Sequence, residues 1–128
     1  AHDVMEHIPK QDTMRFLSLV HKALKKDGIF IARVPNMSNP FGLDARFNDF
    51  THETGFTSKS LYQIMWLAGF RDIEILPPLP VEVKSVRNFV RKYLVILLHQ
   101  WLRFCFYIQD YTVPKNLDKN ITILSKKT

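Results

Sequence analysis

A short ionisable segment, residues 49–53 (DFTHE), has the side chains best suited to chemistry. The imidazole of His52 can accept a proton from a reacting group, while Asp49 and Glu53 can orient its ring. Proton abstraction by His52 is the first chemical hypothesis. The structural alternative is that Thr51 and His52 hold the loop together through hydrogen bonds to the backbone.

A second histidine, His7, follows Glu6 close to the start of the chain. There a role beside the reacting groups competes with a role in packing under the next helix. The five histidines have no close helical spacing, and a single cysteine cannot form a Cys-x-x-Cys pair. The spacing therefore predicts no metal site.

Two arginines, Arg33 and Arg46, can hold an anionic group through bidentate contacts. For Arg46 the ordinary alternative is a solvated or ion-paired surface side chain, and such pairs contribute little. The arginines favour an anionic acceptor, such as the phosphate of a nucleotide sugar.

The 49–53 segment lies within a long loop, residues 37–57, that follows an apolar run over residues 28–34. Such a run is typical of a strand buried on both faces of a sheet. Open α/β sheets bind ligands beyond the C-terminal ends of their strands, so this loop lies where a site is expected. Loops of this length are usually functional or disordered.

Apolar periodicity predicts three helices, over residues 10–25, 58–68 and 87–108, with Ser58 as the N-cap of the second. The third is too short and too polar to span a membrane. Its polar residues Asn88, Lys92, His99 and Arg103 fall within an arc of roughly 60° at 100° per residue. Such a helix is buried in a core, paired with another chain, or lying on a membrane surface, and core packing is the simplest of the three.

Strand character is found in residues 71–76 and 120–125, which are expected to pair. Residues 1–4 look like the end of a strand entering a turn, and the prolines of residues 77–80 break regular structure. The alternation predicts an α/β fold with a mostly parallel sheet. A sheet of three or four such strands is part of a doubly wound domain, here a single domain over residues 1–128.

Composition fits a folded protein of 128 residues and 15.1 kDa, with 46% hydrophobic residues. The net charge of +6 favours anionic partners, but the basic residues are scattered and no nucleic-acid recognition motif is present. One cysteine, Cys105, rules out an intrachain disulfide and fits a reducing cytosol. A cytoplasmic location, or one at the inner face of a membrane, is therefore expected.

Five segments resemble, in order, motifs of the class I S-adenosylmethionine-dependent methyltransferases, in the branch found in sugar and polysaccharide biosynthesis. The segments are residues 3–9 (DVMEHIP), 24–30 (LKKDGIF), 33–36 (RVPN), 49–61 (DFTHETGFTSKSL) and 68–70 (AGF). They resemble, respectively, the end of that fold's fourth strand, the turn into its fifth, the close of the fifth, a D-x-T-H…F-T…L segment, and the turn into the sixth.

The resemblance implies the C-terminal, substrate-side half of a methyltransferase fold, with Rossmann-like character. It also implies methyl transfer from S-adenosylmethionine to a sugar, glycolipid or polysaccharide precursor. The Gly-rich turn that holds this cofactor in the family is missing, because the four glycines form no G-x-G cluster. We therefore expect weak cofactor binding or none, and activity only within a longer chain. The alternative is a cofactor-less binding or scaffold module that uses the 87–108 helix.

The side-chain chemistry and the resemblance together give the candidate roles of residues. His52 and His7 are the catalytic candidates, and Asp3 and Glu6 are the candidates for cofactor contact. The substrate-side candidates are Asp49, Thr51, Glu53, Arg33 and Arg46. The expected partner is a small-molecule or glycolipid substrate and not a nucleic acid, and peripheral membrane contact and a homo-oligomer are open alternatives.

Overall fold

The computed structural model describes residues 1–78 and 85–128. The chain divides into two compact units, one made of Ala1–Pro78 and Asp118–Thr128 and the other of Leu79–Leu117. The single domain expected over residues 1–128 stays a prediction. The break expected at residues 77–80 falls partly outside the described residues.

The first unit follows the predicted order of helices and strands. Its elements are a 3₁₀ turn at Met5–His7, α1 (Lys10–Ala23), β1 (Ile29–Pro35), α2 (Gly42–Phe47), α3 (Ser58–Leu67), β2 (Arg71–Leu76) and β3 (Asn120–Lys126). Apart from the 3₁₀ turn and α2, these elements begin and end within two residues of the predicted bounds. The α/β class is confirmed.

The strands form one sheet in the order β1-β3-β2, and both pairings are antiparallel. The predicted pairing of β3 with β2 is confirmed, with Ile123 opposite Ile75. The prediction of a mostly parallel sheet is wrong, because β3, the last strand, lies between β1 and β2 and runs antiparallel to both. The order of helices and strands along the chain does not say which strands pair, so it could not predict the insertion of β3 between β1 and β2.

The buried core lies on one face of β1. Phe30, Ala32 and Val34 are buried, whereas the alternate residues Ile29 and Ile31 are about half exposed. The expectation that this strand is buried on both faces is therefore wrong. The other members of the core cluster are Met5, Leu17, Phe56, Leu61, Met65, Phe70, Ile121 and Ile123.

The long loop is anchored where its two ends meet. Asn36 and Phe56 form a parallel bridge, and the Met37 N–H donates to the Phe56 carbonyl at 2.8 Å. Asn36 is fully buried, and its side chain donates to the Asp118 carbonyl and accepts from the Ser38 N–H, both at 2.9 Å. Residues 37–56 therefore form a loop whose two ends are hydrogen-bonded to each other, and α2 lies within this loop.

The loop ends in a capping box at the start of α3. The N-cap is Thr57 and not the predicted Ser58. The Thr57 hydroxyl accepts from the Ser60 N–H at 3.2 Å, and the Ser60 hydroxyl accepts from the Thr57 N–H at 3.0 Å. These two bonds fix the exit of the loop.

The start of the chain makes a turn beside β1. His2 forms a parallel bridge with Arg33, as expected for the end of a strand. Asp3 then takes a φ of 51°, and the 3₁₀ turn follows. This bend directs residues 5–7 away from the path of a continuing strand.

The second unit, described from residue 85 onward, contains α4 (Val86–Ile108), which matches the prediction over residues 87–108. The Ser85 hydroxyl caps it by accepting from the Asn88 N–H at 3.2 Å. None of the α4 residues is buried against the described part of the chain, and the expected packing of this helix in a core stays a prediction. Among the described residues, no helix combines the length and apolar character needed to cross a bilayer.

Candidate active site

Backbone bonds join the 3₁₀ turn to the end of the long loop. The Glu6 carbonyl accepts from the Glu53 N–H at 2.7 Å and from the Thr54 N–H at 3.0 Å. The Thr54 hydroxyl donates to the Ile8 carbonyl at 2.8 Å. Residues 6–8 therefore lie against the 49–54 stretch, and the two ionisable segments singled out in the sequence form one site.

His7 is hydrogen-bonded through a hydroxyl to a carboxylate. Its Nδ1 lies 2.8 Å from Thr51 Oγ1, which donates to Asp49 Oδ1 at 2.7 Å. A hydroxyl has one proton, and here it is given to Asp49, so the Thr51 oxygen accepts from a protonated Nδ1 of His7. The network thus assigns the neutral His7 ring a lone pair on Nε2.

His52 has the same tautomer for a different reason. Its Nδ1 lies 2.6 Å from the Ala45 carbonyl oxygen, which can only accept, so Nδ1 has the proton. The His52 side chain is 13% exposed, and its Nε2 lies 4.0 Å from Asp49 Oδ2. The rings of His7 and His52 meet edge to face, with centroids 4.6 Å apart. Two imidazoles with Nε2 as the basic atom therefore lie side by side.

Asp49 is the anion of this network. The Thr51 hydroxyl and the Thr51 backbone N–H both donate to its carboxylate, and they hold the pKa of Asp49 below its usual value. The neighbouring His52 and His7 lower the pKa in the same direction. Asp49 is therefore an ionised carboxylate at neutral pH, available to stabilise a protonated imidazole.

Arg46 holds the loop from its inner side. Its guanidinium donates to the carbonyl oxygens of His52 and Glu53, the latter at 3.0 Å. The clamp fixes the backbone that carries the imidazole. The predicted role of Arg46 and Glu53 in binding substrate stays a prediction.

Asp3 and Arg33 form a separate ion pair. Asp3 Oδ2 lies 3.8 Å from a guanidinium nitrogen of Arg33 and 2.9 Å from Nδ1 of His2. The described contacts place neither side chain in the network of His7 and His52. Cofactor contact by Asp3 and substrate contact by Arg33 stay predictions.

Glu6 places a buried carboxylate beside the two imidazoles. The residue is 2% exposed, and its Oε2 has no hydrogen-bond partner among the described residues. A buried carboxylate oxygen without a donor is costly, so this position favours a ligand that supplies one. One ligand atom from each of Glu6, His7 and His52 lies within 4.8 Å of the others, a spacing that could also accommodate a cation.

A cavity of about 360 Å³ lies beside α2. Its lining residues are Asn39, Phe41, Gly42, Asp44, Ala45 and Lys119. Ala45, whose carbonyl accepts from His52 Nδ1, is one of these residues, whereas His7 and His52 do not line the cavity. Lys119 gives this cavity a cation.

Sequence reasoning missed two features of the site. The approach of His7 to His52 could not be seen from histidine spacing, because it depends on the bonds between Glu6 and residues 53–54. Lys119 precedes β3 and reaches the loop because its carbonyl accepts from the Asn36 N–H at 2.9 Å. Nothing in the residues around position 119 indicates this contact.

No protein-family model and no curated protein matches the chain. Solved structures do match it. An S-adenosylmethionine-dependent methyltransferase from Archaeoglobus fulgidus has a TM-score of 0.62 at 20% identity, over 98% of this chain and 57% of that one. A second, from Thermotoga maritima, has 0.59 at 15% identity, over 99% and 54%. A phosphoethanolamine N-methyltransferase 2 of Haemonchus contortus, in complex with S-adenosyl-L-methionine, has 0.53 at 16%, over 98% and 32%.

These similarities establish the fold. The chain has the α/β fold of S-adenosylmethionine-dependent methyltransferases, as the motif resemblance implied. It spans just over half the length of the first two structures, 57% and 54%.

Proposed function

We propose that the chain forms the acceptor side of an S-adenosylmethionine-dependent methyltransferase and acts within a longer protein. The observation that carries the proposal is the pair of neighbouring imidazoles, His7 and His52, which meet edge to face, each with Nδ1 held as a donor and Nε2 as the basic atom. The fold and the order of the five motif segments support it.

Methyl transfer from a sulfonium is an in-line displacement, so the protein must align the acceptor and remove its proton. His52 is the first candidate for the base, because the Asp49 carboxylate lies 4.0 Å from its Nε2 and stabilises the imidazolium that forms. His7 is the second, since the Thr51 hydroxyl connects it to the same carboxylate. In either case the proton moves from the acceptor atom to Nε2.

The described residues fit the amino-acid end of S-adenosylmethionine. The unpartnered Oε2 of Glu6 can accept from an ammonium or hydroxyl group, and Asp3 is the second proposed contact. When bound, the cofactor supplies a methyl group on a positively charged sulfur. The chain has no G-x-G cluster to hold the nucleotide end, so tight binding requires residues of a longer chain.

The acceptor we propose is a sugar, glycolipid or polysaccharide precursor in the cytoplasm. Lys119 in the cavity beside α2 suits an anionic group on such a precursor, with Arg33 and Arg46 as further candidates. The loop also exposes large apolar side chains that suit a lipid portion. These are Phe41, Leu43, Phe47 and Phe50.

Calorimetric titration with S-adenosylhomocysteine tests the cofactor assignment. We expect the natural full-length protein to bind it, and these 128 residues to bind weakly or not at all. Glu6→Gln should weaken binding about tenfold, the effect of one charge-assisted hydrogen bond. Glu74→Gln, on the exposed side of β2, is the matched control and should change nothing. Failure of the full-length protein to bind would contradict the proposal.

A second candidate function is a cofactor-less binding module that acts through α4. The observation that favours it is the large apolar surface that this helix exposes. Binding of S-adenosylhomocysteine by neither form of the protein would favour this candidate.

A further inference from the structure

The exposed side of α4 is apolar. At 100° per residue its most exposed apolar side chains fall within an arc of roughly 140°. They are Val86, Phe89, Val90, Tyr93, Leu94, Leu97, Trp101, Phe104, Tyr107 and Ile108, and their exposed fractions run from 48% to 81%. The more covered residues of the helix lie on the opposite side: Asn88, Val95, His99, Leu102, Cys105 and Phe106. Four of these six are apolar, so the more covered side of the helix is also largely apolar. The larger apolar side is nevertheless the exposed one, and an exposed apolar surface of this size marks a site for a partner.

The cations of α4 border this apolar arc. The helix has four basic residues, Arg87, Arg91, Lys92 and Arg103, and no aspartate or glutamate. On the same projection Arg87 and Arg91 lie beyond one edge of the arc, and Lys92 and Arg103 beyond the other. Arg103 also donates to the Lys115 carbonyl at 3.0 Å, so one of its nitrogens is already bonded within the second unit.

This arrangement selects one type of partner. Long basic side chains beside an apolar face can extend to a layer of anionic headgroups while the face enters the boundary of the acyl chains. Tryptophan and tyrosine favour that boundary, and Tyr93, Trp101 and Tyr107 all lie in the arc. We propose that α4 lies in the plane of an anionic lipid surface and docks the protein on it.

A second copy of the chain fits the same face less well. Pairing two α4 helices would bring eight basic side chains together, and the helix supplies no carboxylate to neutralise them. Among the described residues α4, like the other helices, lacks the combination of length and apolar character needed to cross a bilayer. A surface of anionic lipid satisfies both the apolar arc and the flanking charges.

The first test is co-sedimentation of the natural full-length protein with vesicles. We expect binding to phosphatidylglycerol-containing vesicles, binding to pure phosphatidylcholine at least about tenfold weaker, and loss of binding in high salt. Leu94→Glu and Leu97→Glu should abolish it. Leu19→Glu, at an exposed leucine of α1, is the matched control and should bind like the unsubstituted protein. Equal binding by Leu94→Glu, or equal affinity for neutral vesicles, would overturn the proposal.

A second test uses the fluorescence of Trp101 and needs no substitution in the apolar arc of α4. Residues 1–128 have two tryptophans, so Trp66→Phe, with any tryptophan outside these residues also replaced by phenylalanine, leaves Trp101 as the reporter. We expect its emission to shift to shorter wavelength when anionic vesicles are added, and to be quenched by a soluble quencher before they are added. Protection from the quencher without vesicles would mean that the rest of the protein, or a second copy detected by sedimentation velocity, covers the face, and would overturn the proposal. Neither readout depends on methyl transfer.

Discussion

At the scale of single residues, the site depends on which nitrogen of each imidazole has the proton. The Ala45 carbonyl fixes this for His52, and the Thr51 hydroxyl fixes it for His7 because its own proton is given to Asp49. The Asp49 carboxylate is thus connected to His7 through Thr51 and lies 4.0 Å from Nε2 of His52. A polar network of this kind holds a base in one orientation before the substrate arrives, which is the condition for efficient proton transfer.

Asp49 should give the fold a component of stability that depends on pH. Its pKa is lower in the folded protein than in the unfolded chain, because the Thr51 hydroxyl and N–H donate to the carboxylate. The stabilisation is therefore complete above the unfolded pKa and is lost as the pH falls through the folded pKa. We expect Asp49→Asn to remove this component, measured by urea unfolding over a pH series.

The effect of Asp49 should be small because the carboxylate is exposed to solvent. Glu74→Gln, at an exposed position of β2, is the matched control and should keep the pH dependence of the unsubstituted protein. An Asp49→Asn protein with an unchanged acid profile would show that the bonds from Thr51 do not stabilise the loop.

At the scale of elements, the long loop is a closed structure. It begins and ends at the Asn36–Phe56 bridge, Arg46 clamps its carbonyls, and Thr57 caps the helix that follows. These contacts are consistent with both roles considered for His52, as a residue that holds the loop together and as a base. The hydrogen bond to the backbone uses Nδ1 and leaves Nε2 as the basic atom. A loop that is held to a sheet by such contacts can keep a base in place.

Gly42 should be required for the closure of this loop. A Cβ added there would lie 2.5 Å from the Asn36 carbonyl oxygen, and backbone atoms cannot move aside easily. We expect Gly42→Ala to lower the free energy of unfolding by about 1–3 kcal/mol, measured by urea denaturation.

Gly55→Ala is the control for that substitution. Its Cβ would meet Met37 Cγ at 2.8 Å, and a methionine side chain can adjust. The loss of stability should therefore be clearly smaller than for Gly42→Ala. Equal losses would mean that the contact between Gly42 and Asn36 does not limit the loop.

Periodic elements could be predicted from the sequence and contacts between distant residues could not. The strand over residues 71–76 and the helix α4 were predicted well because apolar spacing is a local signal. Helix α2 has six residues, too few to show a period, and was missed. The central position of β3 depends on pairing across the whole first unit, so no local pattern could reveal it.

At the scale of the whole molecule, the two compact units have different tasks in this account. The first has the methyltransferase-like sheet, the core and the imidazole pair. The second presents α4, whose apolar arc and flanking cations suit a lipid surface. The proposed methyl transfer to a glycolipid precursor would use both.

The most direct test of the central claim is methyl transfer from labelled S-adenosylmethionine by the natural full-length protein to a panel of nucleotide sugars and glycolipid precursors. We expect turnover with at least one acceptor, and we expect His52→Ala or His7→Ala to lower kcat by a factor of about 10²–10⁴. His99→Ala, on the covered side of α4, is the control and should retain full turnover with a water-soluble acceptor. Turnover that survives the loss of both His7 and His52, or no transfer to any acceptor, would contradict the account.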